Sequence, residues 1–247
     1  MLVKPFLLLA TRAEDVAADG EHAALRQFGG LAQDELVRIR LESGPMPSLD
    51  LDDYSGVIVG GSPFNASDPV EDKTDIQLRV ERELAALLDV VVARDFPFLG
   101  ACYGVGTLGV HQGGVIDRTY GEPVGAVAVT LTDAGRDDPV FAGMPPVFHA
   151  FVGHKEAMRT PPAHAVVLAS SPSCPVQAFR VQENQYATQF HPELDVAGIT
   201  TRVQVYRDAG YFEPAELERV IDGIRTAAVH EPPRMLANFV RRYARRG

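Results

Sequence analysis

The sequence predicts an α/β fold: three layers, with a mostly parallel central sheet, helices on both faces and further helices at the C-terminal end. Three observations carry this reading. Short apolar, strand-like runs alternate with helical patterns, as parallel strands joined by crossover helices require. The run Phe96-Pro97-Phe98-Leu99-Gly100-Ala101-Cys102-Tyr103-Gly104 is apolar and closes on a glycine-flanked cysteine, the pattern of a sharp strand-to-helix turn. The chain has 247 residues, 46% of them hydrophobic, and no long low-complexity tract, so it can bury one full core.

In order, Phe6 to Ala10 is the first strand, and the helix after it lies around Glu21 to Phe28. Leu36 to Leu41 gives the second strand and Gly56 to Val59 the third. Glu71 to Ala93 is a long helix in which Ile76, Val80, Leu84, Leu87 and Leu88 recur at helical spacing and are expected to face the sheet. Pro97 to Ala101 then enters the cysteine turn. Gly125 to Leu131, Val147 to Val152, Val166 to Ala169, Val176 to Val181 and Tyr186 to Phe190 read as strands separated by turns rich in Asp, Gly and Pro. Beyond Glu193 come three helices, Val196 to Ala209, Pro214 to Ala228 and Pro232 to Arg245, the last with Met235, Leu236, Phe239, Val240 and Tyr243 on one side. Residues 1–195 are therefore expected to form the α/β unit, and 196–247 a helical extension packed on the same domain. Arg234, Arg241, Arg242, Arg245 and Arg246 gather in the last turns, where they complement a helix C-terminus in solvent.

A net charge of −10 argues against a nucleic-acid surface, which needs a basic face. The two cysteines, Cys102 and Cys174, make no disulfide framework and suit a reducing cytoplasm. The apolar opening of the chain is too short to span a membrane and no small-residue cleavage pattern follows it, so neither membrane nor secretion is expected. His149 and His154 have no zinc-type spacing with a carboxylate, so no metal is assigned, and no cofactor. A homo-oligomer is compatible with the sequence.

The chemistry is concentrated at two places. Cys102 sits where its thiol is expected to stand exposed over the carboxyl end of a sheet, at the positive N-terminus of the next helix, which favours the thiolate. Far downstream, Gln185-Tyr186-Ala187-Thr188-Gln189-Phe190-His191-Pro192-Glu193 reads as a strand ending in a histidine and a carboxylate two residues apart. Both side chains then lie on one face, and Glu193 can orient the His191 imidazole. Cys102, His191 and Glu193 are the candidate catalytic triad.

The elbow Gly100-Ala101-Cys102-Tyr103-Gly104 and the downstream Phe190-His191-Pro192-Glu193 resemble the two signatures of class I glutamine amidotransferase domains, in particular the amidotransferase domain of GMP synthase. Val57-Ile58-Val59-Gly60-Gly61-Ser62-Pro63 resembles the family's glycine loop after a central strand. The resemblance implies a flavodoxin-like sheet, an oxyanion hole formed by the Gly61 and Tyr103 amides, and a substrate side that includes Gly60, Gly106 and His154. It also implies acyl transfer: the thiol attacks the side-chain amide of glutamine, His191 protonates the departing ammonia, and water releases glutamate. One position departs from the pattern. Where the family carries a glutamine that contacts the substrate amino acid, this chain has Gly106, expected to leave space for a larger substrate.

The leading expectation is a free-standing glutaminase that delivers ammonia to a separate acceptor synthetase, since no ATP-binding synthetase domain fits in the chain. The first alternative is a γ-glutamyl hydrolase acting on γ-glutamyl amides or peptides, and Gly106 leans toward it. The second is a non-catalytic regulatory module that binds a partner through its C-terminal helices. Gly104-Val105-Gly106-Thr107-Leu108-Gly109 also matches a dinucleotide-binding pattern, but it follows the cysteine turn deep in the chain, where its glycines serve close helix packing.

Overall fold

The computed structural model describes residues 3–245, so Arg246 of the C-terminal arginine group lies outside the described residues. Strand and helix alternate through the first half: β1 (Phe6–Ala10), α1 (Asp15–Gly29), β2 (Leu36–Arg40), β3 (Gly56–Val59), α2 (Asp75–Ala93), β4 (Phe98–Ala101) and α3 (Tyr103–His111). A strand-rich stretch follows, with β5 (Val115–Asp117), β6 (Glu122–Leu131), a short α4 (Asp133–Asp137), β7 (Val147–His154), β8 (Ala157–Thr160), β9 (Val166–Ser170), β10 (Ala178–Val181) and β11 (Gln185–Thr188). Three further helices are α5 (Val196–Val205), α6 (Leu217–Arg225) and α7 (Pro232–Tyr243).

Nine strands make one sheet in the order β2-β1-β3-β4-β11-β10-β9-β6-β7. The pairings from β2 across to β11 are parallel and the rest antiparallel, so only β10 and β6 oppose the common direction. The sheet is mixed and largely parallel, as the sequence predicts. β5 and β8 form a separate antiparallel pair, too short to have shown any periodicity.

Alternation along β1 shows the layers. Phe6, Leu8 and Ala10 pack with Leu25 of α1 and with Met235, Leu236 and Phe239 of α7, whereas Leu7 and Leu9 pack with Val80, Leu84 and Leu88 of α2 and Leu108 of α3. The C-terminal helix α7 therefore belongs to the central core. A smaller cluster joins Ile199 and Val203 of α5 and Ile221 and Ile224 of α6 to Phe151 and Leu194. Among the described residues no helix is long and apolar enough to cross a membrane.

Two expectations need correction here. Helix α2 starts at Asp75, where Thr74 caps it by accepting from the Gln77 amide (3.1 Å), and Ile76 is 46% exposed. Steps of four residues advance 400°, drifting 40° each time, so the series 76, 80, 84, 88 leaves the buried arc at its first member and Gln77 takes the inward place. The strand expected to carry His191 stops at Thr188. There the Thr188 hydroxyl donates to the Phe190 carbonyl (2.8 Å) and the chain bends out of the ladder before Pro192. His191 and Glu193 thus meet through a turn, not along one strand face.

Candidate active site

Cys102 stands at the C-terminal end of β4, between β3 and β11, and caps the N-terminus of α3. Its backbone has φ 54° and ψ −86°, a strained conformation for a side-chain-bearing residue that costs about 1–3 kcal/mol. Its amide donates to the Thr188 carbonyl at 2.7 Å, which ties the turn to β11. A Cβ at Gly100 would lie 2.6 Å from the Gly104 Cα, so only glycine there lets α3 start this close to β4. The elbow is therefore built as the sequence predicts, but its thiol is not freely exposed. Tyr206, Tyr211 and Phe212, from the segment after α5, line the same cavity as Cys102. Lys155 fixes that segment by donating to the Ala209 carbonyl (2.6 Å) and standing 4.8 Å over the Tyr211 ring. Desolvation pushes the Cys102 pKa up to about 12, despite the opposing pull of Arg12 and Arg202. The expectation of an exposed resting thiolate is corrected accordingly: burial of the sulfur favours the protonated form.

His191 lines the cavity with Cys102, and its Nδ1 lies 2.9 Å from Glu193 Oε1. With Nδ1–H donated to that carboxylate, Nε2 keeps its lone pair. Around this pair the structure adds three charges that the sequence reading missed. Arg202 of α5 donates from Nη2 to Glu193 Oε1 (2.9 Å) and holds Nη1 3.0 Å from His191 Nδ1. The same Nη2 reaches Glu21 Oε1 of α1 (3.3 Å), which also accepts from Arg12 Nε (3.1 Å). Arg12, Glu21, Arg202 and Glu193 form a buried chain of alternating sign. Burial lowers the His191 pKa below its usual value, Glu193 pulls the other way, and Arg202 and Arg12 reinforce the lowering. Burial would raise the Glu193 pKa, but His191 and Arg202 together hold it well below the usual carboxylate range.

A local signal for these residues exists. Glu21 falls on the same helical stripe as Ala18 and Leu25, and Arg202 sits between Ile199 and Val203; each puts a charge where the period demands an apolar side chain. Only the fold, however, brings α1, α5 and the end of β1 together.

The glycine loop differs from expectation. The Gly61 amide, expected in the oxyanion hole, donates to Glu21 Oε1 (3.2 Å), and the Gly60 amide donates to the Leu9 carbonyl (3.3 Å). Both are committed within the protein. Their lack of side chains still matters, because a Cβ at Gly61 would meet His191 Cε1 at 2.7 Å and one at Gly60 would strike the Glu21 carboxylate. Tyr103, the first residue of α3, presents an amide with no intrahelical partner at the thiol.

Gly106 does not leave space. A Cβ there would lie 2.9 Å from Ala66 Cβ and 3.1 Å from Glu156 Oε1. Glu156 is fixed in that place, its two oxygens accepting from the Ala66 (2.8 Å) and Ser67 (2.7 Å) amides. The Gly106→Gln variant is therefore expected to lower turnover of every γ-glutamyl substrate instead of improving glutamine. Overpacking of this kind costs about 1–3 kcal/mol, a fall in Tm of roughly 2–12 °C. Thermal melting and kcat/KM on glutamine and a γ-glutamyl amide check this; a gain on glutamine at unchanged Tm would refute the crowding.

His154 borders the Cys102 side of the loop but is locked in place. Its Nδ1 donates to the Glu156 carbonyl and its Nε2 pairs with Glu122 Oε2, both at 2.8 Å. With Cys174 these residues bring the ligand atoms of a second Cys-His-Glu group within 4.8 Å of one another. Every member is engaged: Glu122 also accepts from Gln177 and Ser171, and the Cys174 thiol donates to the Val176 carbonyl at 3.5 Å. This group joins β6 to β7 and positions Glu156.

Comparison with known proteins bears on the family and the fold. The model of the family glutamine amidotransferase class-I matches residues 24–201. A GMP synthase (glutamine-hydrolyzing) subunit from Thermoplasma volcanium is 26% identical over 176 residues, covering 71% of this chain and 77% of that protein. The GMP synthase subunit of the same name from Sulfurisphaera tokodaii is 28% identical over 145 residues, 58% of this chain and 70% of that one. The longer GMP synthase of Thermosipho africanus is 29% identical over 116 residues, 46% of this chain, and the match spans only 22% of its own length. The crystal structure of a glutamine amidotransferase from Thermotoga maritima shares the fold, with a TM-score of 0.73 at 19% identity over 97% of this chain and 98% of that one. The family match runs from within α1 to within α5 and so takes in the elbow, the glycine loop and the His191 turn: the chain belongs to the class-I glutamine amidotransferase family.

Proposed function

We propose that this chain hydrolyses γ-glutamyl amides through a thioester on Cys102, with His191 as the proton carrier and Glu193 as the residue that orients it. The observation that carries the reading is a strained cysteine at the N-terminus of α3 in one cavity with a histidine whose Nδ1 is bound by a buried carboxylate. At a pKa of about 12 only about 10⁻⁵ of the thiol is ionised at pH 7, so the proton moves to His191 Nε2 as sulfur attacks the carbonyl carbon. The Tyr103 amide stabilises the oxyanion, an interaction of about 3–4 kcal/mol where a single such donor has been removed. His191 returns the proton to the leaving nitrogen and then activates water, which frees the acid and restores the thiol.

Glutamine is the simplest substrate and gives glutamate and ammonia. The relatives named as single subunits of GMP synthase support delivery of that ammonia to a separate acceptor enzyme. Hydrolysis of substituted γ-glutamyl amides is a second reading, favoured by an apolar cavity on the His191 side of the thiol. Incubation with the glutamine-like electrophile 6-diazo-5-oxo-L-norleucine, followed by peptide mass analysis, tests the nucleophile. Modification of Cys102 alone is expected. An unmodified Cys102, with no glutamate released from any γ-glutamyl substrate, would leave only a binding role.

A further inference from the structure

The thiol faces two different surroundings. On one side it meets Asn65, Tyr103, Glu156 and Gln189. On the other it shares a cavity with His191 whose walls include Val124, Val152, Leu194, Ile199, Val203 and Phe212. His191 lies only in the second. In acyl transfer the leaving nitrogen takes its proton from the imidazole that accepted it from the nucleophile. The acyl group therefore occupies the side with Asn65, Glu156 and Gln189, and whatever leaves with the nitrogen occupies the side with His191 and the aliphatic walls. Ammonia draws no binding energy from aliphatic walls, whereas an aliphatic substituent gains about 0.8 kcal/mol per buried CH₂.

The apolar cavity also holds one cation with capacity to spare. Arg12 is buried, gives its Nε to Glu21 and lies 5.4 Å from the centre of the Tyr206 ring. Among the described residues no carboxylate is hydrogen-bonded to its two terminal nitrogens. A guanidinium edge of this kind matches a carboxylate. The cavity of about 50 Å³ holds roughly four waters at ~10–15 Å³ each, the size of a small aliphatic side chain.

Resting on the acyl transfer at Cys102 proposed above, we infer that the preferred leaving group is an α-amino acid with a small aliphatic side chain, so that the substrate is a γ-glutamyl dipeptide such as γ-glutamylvaline or γ-glutamylleucine. The side chain packs among Val152, Ile199 and Val203, and the carboxylate meets Arg12. The C–S bond forms first, the C–N bond breaks as the oxyanion collapses, the thiol proton leaves on the amino group of the amino acid, and water then hydrolyses the thioester to glutamate and restores the thiol.

The test compares kcat/KM of the full chain for glutamine, γ-glutamylvaline, γ-glutamylleucine, γ-glutamylphenylalanine and γ-glutamylisobutylamide, the last being γ-glutamylvaline without its carboxylate. Both aliphatic dipeptides are expected to exceed glutamine at least tenfold, and loss of the carboxylate is expected to remove most of that gain. Val203→Ala enlarges the cavity and is expected to raise the ratio of γ-glutamylphenylalanine to γ-glutamylvaline turnover at least fivefold, a ratio that partial loss of fold does not alter. Glutamine turned over as well as the dipeptides, with Cys102 labelled by the electrophile, overturns this inference and leaves the acyl transfer standing. An isobutylamide as good as γ-glutamylvaline, or an unchanged ratio in Val203→Ala, overturns it also. Absence of both labelling and turnover removes the acyl-transfer reading and this inference with it.

Discussion

Replacing Cys102 with alanine is expected to abolish turnover, with a loss of about 10⁴-fold or more, because the bond-forming atom is gone and the two backbone and charge arrangements that remain have nothing to act on. The fold is expected to survive. Cys102 contributes a strained backbone, not core packing, and alanine inherits the same φ of 54°. The strain gives a second, independent measurement. Cys102→Gly removes the Cβ that makes this conformation costly, and is expected to be as inactive as Cys102→Ala yet more stable, by about 1 kcal/mol or roughly 2–4 °C in Tm. A catalytic residue whose removal stabilises the protein is one the fold holds against its preference. Cys174→Ala supplies the control: its sulfur is fully buried and serves a bond to the Val176 carbonyl, so activity is expected to persist with a modest fall in stability. Activity retained in Cys102→Ala would end the thioester mechanism.

The parts of this site visible in the sequence are those whose chemistry is local. The elbow can be read from Gly100 to Gly104 because a nucleophile at a tight strand-to-helix turn needs glycine within a few residues, and His191 and Glu193 can be read because they lie two residues apart. Even there the burial was misjudged: nothing near Cys102 announces that Tyr211 and Phe212, over a hundred residues later, line its cavity, or that burial pushes the thiol pKa up. Strands β1, β3 and β4 were legible because both faces are buried and the runs are continuously apolar, whereas β5 and β8 are too short to carry a pattern. Arg12, Glu21 and Arg202 stayed hidden for a different reason. A lone charge in an apolar stripe becomes informative only when its partner is known, and their partners lie up to 181 residues away. Gly106 misled because absence of a side chain suggests space, while Ala66 and Glu156 already occupy it.

The buried charges make the second large effect, at Glu193, sharper than a simple loss of orientation. His191 Nδ1 has two neighbours, the Glu193 carboxylate at 2.9 Å and Arg202 Nη1 at 3.0 Å. The first can only accept a proton-bearing Nδ1, and the second can only donate to a bare one. While Glu193 is charged it wins, the proton stays on Nδ1, and Nε2 is free to take the thiol proton. Glu193→Gln keeps the shape but removes the charge, so Arg202 can claim Nδ1 and move the ring proton to Nε2, where the base should be. A fall in kcat of about 10²–10⁴-fold is expected, with His191→Ala lower still and the double variant no worse than His191→Ala alone. The pH profile separates this from simple misfolding. In the wild type the base must be neutral to act, and burial with Arg202 and Arg12 nearby sets the His191 pKa below its usual value, so kcat/KM is expected to rise to its plateau with a midpoint below pH 6.5. The plateau should then stay flat through neutral pH, because with a thiol pKa of about 12 the proton passes to His191 during attack and no preformed thiolate accumulates. In Glu193→Gln the imidazolium loses its counter-charge, so the acid limb is expected to move to still lower pH while the plateau falls. An unchanged plateau would make Glu193 a packing residue, and a midpoint well above pH 6.5 in the wild type would mean that His191 is not the base.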